Sequence, residues 1–428
     1  MSIITRAAAS LAVLVVADAL CAQDATPSPL TALRDGDYAK ARSELVMIVA
    51  NRPDAALHIA YLEGLIKVQQ GEFEAAASTF RSILSVAPDY EPARRELTFA
   101  LAHLGETAGA LYHAERLVAQ TSDERLRAGL QALINNTSQG NPRGVGLQFA
   151  ILPSTNASKG TDDEVIVIGG LPFVIDEASR AQDGVGLSFG ISAWNRWVLS
   201  ENWSATLSGT LSAQVYKEAR ANEQTGTVKL DFHRPFTQGR VNIGPVADLT
   251  FTDGDKSRER IGVAGSGVYA LAPGREMSAG LTHWWQTYPD REFRDGTSIV
   301  GFLGYRQSLS PSTSLSLSLP FNRERTDLAH LDHDDIGVVV GLDREWSNGL
   351  ISGFSAGLRR DNYLGDFPGS DEPLEDIVST LGVSLLHRNL TIGRYAPLFS
   401  YTYTNSSSNI GFFDYDSHDV AITLSTRF

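Results

Sequence analysis

The sequence predicts an α + β multidomain chain, an N-terminal α-helical solenoid followed by a 14-stranded antiparallel transmembrane β-barrel. Three observations carry this expectation. A glycine–aromatic–alanine pattern returns about every 35 residues in the first third of the chain. From Gly144 onward the apolar period switches from that of a helix to that of a strand. The connections between the strand-like stretches then alternate between short turns and longer, more charged loops, as in outer-membrane barrels.

The plainest strand is Trp203 to Val215. Trp203, Ala205, Leu207, Gly209, Leu211, Ala213 and Val215 are apolar or small, and the residues between them carry hydroxyls or an amide. Side chains alternate between the two faces of a strand, so this segment has one face for lipid and one for water. A tilted strand of about 9–11 residues crosses a bilayer. Ser314 to Leu319 repeats the pattern. With 43% hydrophobic and 20% charged residues the 428-residue chain is not disordered, and a net charge of −14 leaves no basic face for nucleic acid. After residue 22 no apolar run is long enough for a spanning helix. Only helices and closed barrels satisfy their backbone in hydrocarbon, so a membrane role requires the barrel.

Taken in order, residues 1–22 read as a signal peptide. Arg6 supplies the positive start, Ala7–Val16 the apolar stretch and Ala22 a small residue before a cleavage at Gln23. The sole cysteine, Cys21, follows Leu20, where lipobox sequences carry Gly, Ala or Ser; this favours ordinary cleavage over acylation. Residues 23–140 form a helical domain. Gly36, Tyr38, Ala41 and Pro53 are followed by Gly71, Phe73, Ala76 and Pro88, and then by Gly105 and Ala110. Small residues let paired helices approach, the aromatic fills the gap, and proline ends the second helix. Gly64, Gly71, Phe73, Ala76, Phe80 and Pro88 resemble a tetratricopeptide (TPR) repeat. In that phase a concave, protein-binding face falls on His58, Tyr61, Leu65, Gln69, Arg95, Phe99 and His103. Residues 135–142 are rich in helix breakers and read as a linker.

Residues 141–428 form the barrel. The predicted strands are 144–153, 184–197, 203–216, 223–236, 240–251, 258–271, 276–288, 297–309, 313–322, 334–346, 350–363, 375–387, 396–404 and 418–428. Trp197, Trp203, Phe236 and Trp346 fall at short-turn ends, and Tyr216, Phe251, Tyr288, Phe321 and Tyr363 at long-loop ends, as two interfacial girdles. Val420, Ile422, Leu424 and Phe428 share one face of the closing strand and resemble the signal read by the barrel assembly machinery. Gly144, Gly146 and Pro153 weaken strand one and mark a possible seam with the last strand.

Chemistry-bearing groups are sparse. His330, Asp332, His333, Asp334 and Asp335 form the only dense set of metal-ligand types and read as a solvated acidic loop. His283, His387 and His418 lie on different strands and assemble no triad, and Gly262, Gly265 and Gly267 sit inside a strand pattern that opens no helix. No enzyme activity, metal or cofactor is expected.

The segment Leu152–Ser158, the positions Phe173, Asp176 and Gly184, and the closing set Pro397, Tyr401–Tyr403, Ser408–Ile410, Tyr415 and Phe428 resemble the surface lipoprotein assembly modulator (Slam) family, over nearly the whole mature chain. The resemblance implies an outer-membrane translocator whose periplasmic TPR domain engages a cognate surface lipoprotein or secreted cargo protein. The expected state is a monomer embedded in outer-membrane lipid and, from its closing strand, delivered there by the barrel assembly machinery; the acidic charge excludes a nucleic-acid partner. The alternative is an export pore for polysaccharide or small solutes.

Overall fold

The computed structural model describes residues 28–425 apart from 122, 139–141, 218–221 and 394. The expected signal peptide, residues 1–22 with Cys21, and Phe428 of the expected assembly signal lie outside the described residues. Among the described residues seven helices come first: α1 (Pro29–Arg34), α2 (Tyr38–Val49), α3 (Ala55–Gln70), α4 (Phe73–Val86), α5 (Glu91–Leu104), α6 (Thr107–Gln120) and α7 (Glu124–Ser138). Each packs on the next in sequence, which is a stack of antiparallel hairpins. Asp37 caps α2 by accepting the Lys40 N–H at 3.0 Å. Gly71 and Gly105 end α3 and α5 in the left-handed conformation, at φ 78° and 73°.

The centre of the stack is a buried cluster of Ala76, Phe80, Leu84, Leu97 and Leu101. Gly64 lets α3 and α4 close, because a Cβ there would lie 2.4 Å from the Phe80 ring. Helix α7 runs through Ser138, three residues beyond the start of the expected linker at Asn135. Leu126, Leu130 and Ile134 recur along one face and pack on Ala114 and Leu117 of α6, which outweighs the weak helix propensity of the asparagines.

Fourteen strands then close into an antiparallel barrel, among the described residues: β1 (Arg143–Ser154), β4 (Gly184–Ser200), β5 (Trp203–Tyr216), β6 (Glu223–Phe236), β7 (Gly239–Thr252), β8 (Asp255–Ala272), β9 (Arg275–Thr287), β10 (Gly296–Ser310), β11 (Thr313–Thr326), β12 (His333–Glu345), β13 (Leu350–Asp366), β14 (Pro373–His387), β15 (Ala396–Ser408) and β16 (Tyr415–Ser425). The predicted strands are all present, and several run further toward the loop ends. Two short strands absent from the expectation, β2 (Val165–Ile168) and β3 (Leu171–Val174), form a hairpin within the first loop.

The face alternation follows the sequence. Leu207, Leu211 and Val215 point outward and are exposed, whereas Ser204 is buried on the inner face. Tyr216 departs from the girdle reading: it is an inner-face residue, buried against Gly186. Two connections break the length alternation. On the loop side, β7 and β8 join through Asp253 and Gly254, both with positive φ (52° and 94°), the turn that a tight hairpin demands. On the turn side, β14 and β15 are separated by residues 388–395.

Replacing Gly64 by leucine should lower the stability of the helical stack by about 1–3 kcal/mol, since the fully buried Phe80 ring has nowhere to move. Limited proteolysis should show faster loss of residues 28–138 while the barrel keeps its heat-modifiable gel mobility.

Candidate functional site

Helices α3 and α5 lie side by side and present the residues of the expected concave face together. His58, Tyr61 and Leu65 are half-buried on α3, with Gln69 exposed at its end; Arg95, Phe99 and His103 are half-buried at four-residue spacing on α5. The rings form two groups. Tyr61 sits edge-on to Tyr90 with centroids 5.8 Å apart, and His58 meets the same ring at 6.3 Å. Phe99 and His103 lie 4.1 Å apart, and Phe73 stacks on His103 at 4.5 Å. Arg95 reaches both Tyr61 and Glu96, the latter at 3.2 Å. Burial pushes the Tyr61 phenol above its ordinary range, so it remains a neutral donor. Leu65 packs into the core beneath the groove, and Gln69 donates to the Arg34 carbonyl at 3.5 Å. These two are structural members of the set; the aromatic and arginine positions form the partly open surface.

A second constellation, not anticipated from the sequence, fixes this stack on the barrel. Glu345, the last residue of β12, is 1% exposed. Its carboxylate accepts two bonds from Arg94 of α5, at 3.1 and 2.8 Å, and one from Arg388 beyond β14, at 2.6 Å. The Tyr112 hydroxyl donates to it at 2.6 Å. Arg116 Nε lies 2.9 Å from Oε1 as an ion pair, off hydrogen-bond geometry. Arg388 also donates to the Leu84 carbonyl, and Arg116 to that of Pro311. Farther out, Arg306 of β10 pairs with Glu115 at 3.1 Å. All the barrel partners lie on the short-turn side, so the stack is held at that mouth.

The electrostatics demand the full set. A lone buried carboxylate is prohibitively expensive, and three guanidiniums alone would repel. Burial, reinforced by the adjacent Glu345 charge, pushes the Tyr112 phenol from 10.0 up to about 12. Its folded pKa is raised, so this contact is at full strength below pH 10 and is lost as pH climbs toward 12.

The inner wall is lined by small and hydroxyl-bearing residues. Gly341, Gly353 and Gly382 face Ser316, Ser384 and Ser355 across the ladder, at distances that a Cβ would violate. Charged pairs sit toward the loop end, among them Arg260 with Asp248 at 2.6 Å and Arg359 with Asp361 at 2.6 Å. The His330–Asp335 group is taken up internally: Asp332 accepts from Thr326, Asp334 from Arg323 and Arg325, and Asp335 from Asn322.

Strand β1 pairs with β4 along its whole length, but with β16 only at Ala150, Ile151 and Ser154 among the described residues. The ladder to β16 skips Leu152 and Pro153, where proline has no N–H to give. The missing side chains of Gly144 and Gly146 leave room for Trp194 and Ser192 on β4. At the loop end the same edge is fastened. Lys159 bonds Asp419 at 2.6 Å and Ser417 at 2.7 Å, and Ser154 bonds Asp419 at 2.5 Å. On β16, Ile422 and Leu424 are exposed on the outer face and Val420 is half-buried.

Replacing Glu345 by alanine should undock the helical stack, because it strands Arg94, Arg116 and Arg388 without a counter-charge. A cost of about 3–5 kcal/mol is expected for removing one partner of a buried ion pair. Tryptic release of the helical fragment from membranes should accelerate, with the barrel still folded by heat-modifiable migration.

Residues 145–428 match the family model for the surface lipoprotein assembly modifier. A surface lipoprotein assembly modifier of Pasteurella multocida (strain Pm70) is 20% identical over 427 residues, covering 93% of this chain and 82% of the relative. Surface lipoprotein assembly modifier 1 of Neisseria meningitidis serogroup B (strain ATCC BAA-335 / MC58) is 21% identical over 400 residues, covering 86% and 75%. Among solved structures, the outer membrane channel DcaP of Acinetobacter baumannii matches with a TM-score of 0.36 and 9% identity, over 66% of this chain and 96% of that one. With the family model spanning the barrel from its first strand, this chain belongs to the surface lipoprotein assembly modifier family.

Proposed function

We propose that this protein carries a lipoprotein, or a related secreted protein, across the outer membrane to the cell surface. In this reading residues 1–22 are removed on export. The helical domain, residues 23–140, is a TPR-type cargo receptor in the periplasm, and residues 141–428 are inserted by the barrel assembly machinery as a monomer. The observation that carries the proposal is the pairing of a half-open aromatic groove with a rigid electrostatic mount. Tyr61, Arg95 and Phe99 are held at the short-turn mouth by the Glu345 contacts, so captured protein is presented to the barrel instead of diffusing on a tether.

Strand number and seam bear on the route. A fourteen-strand barrel is smaller than the 16–18-strand porins, so cargo passes unfolded through the lumen or through a parted β1–β16 edge. The Gly144–Pro153 edge suits the second route, since Pro153 offers no N–H to the β16 ladder and Gly144 and Gly146 weaken the strand. Direction comes from cargo folding or binding outside, which removes the translocated form from the equilibrium.

Two measurements test this. Cysteines in loop 327–332 and in turn 273–274 should be distinguishable on whole cells: an impermeant thiol reagent labels the loop and leaves the turn unlabelled. The reverse pattern would invert the topology and remove the helical groove from the periplasm. Tyr61→Ala combined with Arg95→Ala should leave folded barrel unchanged while reducing surface display of the cognate cargo about tenfold, the effect of losing ~1.4 kcal/mol of binding. Normal display of every surface lipoprotein in cells lacking the protein would reject the transport reading in favour of an export pore for polysaccharide or small solutes.

A further inference from the structure

The outer wall beside the seam holds a feature that cargo capture does not use. Across β1, β4, β5, β6 and β7 the outward side chains border an apolar groove of about 870 Å³. That volume lies in the ~300–1,000 Å³ range of sites that enclose a small ligand. Leu147, Phe149, Ile191, Leu211 and Phe251 form its floor and sides, and Leu424 of β16 its far bank. Among the described residues, no charged side chain lines it. A charged or strongly polar ligand would lose its hydration there without compensation. A hydrocarbon chain has nothing to lose, and it gains fixed apolar contact.

Two further observations narrow the occupant. The groove is continuous with the lipid-facing band of the barrel, because Leu147, Phe149, Ile191 and Leu211 occupy the same outward register as Leu187 and Val215. A chain already in the bilayer core therefore enters without crossing a polar surface. The groove also straddles the seam: Leu147 and Phe149 lie on β1 and Leu424 on β16, the two strands that meet there. An occupant would touch both banks of the edge through which polypeptide is proposed to pass.

We propose that this groove receives an acyl chain of the lipoprotein cargo. The inference rests on the transport reading above and adds to it a site for the lipid moiety. The acyl chain travels along the outer wall in hydrocarbon while its polypeptide uses the adjoining edge or the lumen. Cargo lipid and cargo protein then move on opposite faces of one strand pair, and the anchor is never exposed to water.

The test uses the full chain in nanodiscs of phosphatidylethanolamine and phosphatidylglycerol, with p-benzoylphenylalanine replacing Leu211. A second protein carries it at Leu358 on β13, outward-facing and 52% exposed but remote from the seam. The probe is a synthetic tripalmitoyl-cysteinyl peptide, compared with the same peptide lacking acyl chains. On irradiation, the acylated peptide should crosslink at Leu211 at least ~10-fold more than at Leu358, the unacylated peptide at neither, and Phe251→Gln should reduce the Leu211 adduct. Equal labelling at both positions, or phospholipid adducts at Leu211 that the acylated peptide does not displace, would mean an ordinary annular lipid and overturn the proposal. Heat-modifiable migration of each variant confirms a folded barrel. This binding result judges the groove alone, whereas surface display by the Tyr61→Ala, Arg95→Ala protein judges transport.

Discussion

Backbone hydrogen bonding in a medium without water is the constraint on which the rest of this structure depends. Each strand must find a partner on both sides, so the sheet has to return to its start, and β1 must meet β16. The alternation of side chains is the same constraint viewed sideways, since a closed ladder leaves one face for lipid and one for the interior. The closure is uneven. Twelve consecutive residues of β1 pair with β4, and three pair with β16 among the described residues. Pro153 interrupts the weaker ladder, and Lys159, Ser154 and Asp419 fasten its upper end. The ring is thus complete, with an interruption at Pro153 in the junction that closes it.

The helical stack meets the barrel under a different rule. A buried carboxylate is stable only when its lone pairs are filled, and Glu345 fills them from three arginines and a tyrosine that converge from both parts of the chain. Such an arrangement contributes less to net stability than to uniqueness of geometry, because any other seating of the stack leaves charges unmatched. The groove on α3 and α5 inherits its orientation from this seating: Arg94, which faces the barrel, is adjacent in sequence to Arg95, which faces the groove. One turn of helix thus carries both the anchor to the barrel and a residue of the groove.

Much of the architecture is legible in the sequence because it rests on short-range periodicity. Ser314–Leu319 alternates so plainly that only a two-sided strand accounts for it, and the Gly64–Phe80 relation follows from the helical repeat. The grouping of His58, Tyr61, Arg95, Phe99 and His103 was likewise accessible, since residues at repeat spacing share a face. Linker and loop details were less so. The stripe Leu126, Leu130 and Ile134 carries α7 past asparagines that locally favour a break, and the Val165–Ile168 run reads as loop until its partner Leu171–Val174 is seen beside it. Glu345 was invisible for a stronger reason. A glutamate before Trp346 at a turn resembles any solvated turn residue, and its partners at 94, 112, 116 and 388 share no spacing with it.

The distribution of those partners makes the mount sensitive to strand register. Glu345 ends β12, and Arg388 stands immediately after β14, with the whole of β13 between them. A one-residue slip in either pairing turns the affected side chain to the opposite face. The arginines of α5 and α6 would then meet an incomplete acceptor and remain hydrated. The seat of the helical stack is therefore completed only by a wall whose strands are in register, and a slipped wall leaves the buried Glu345 cluster unmade.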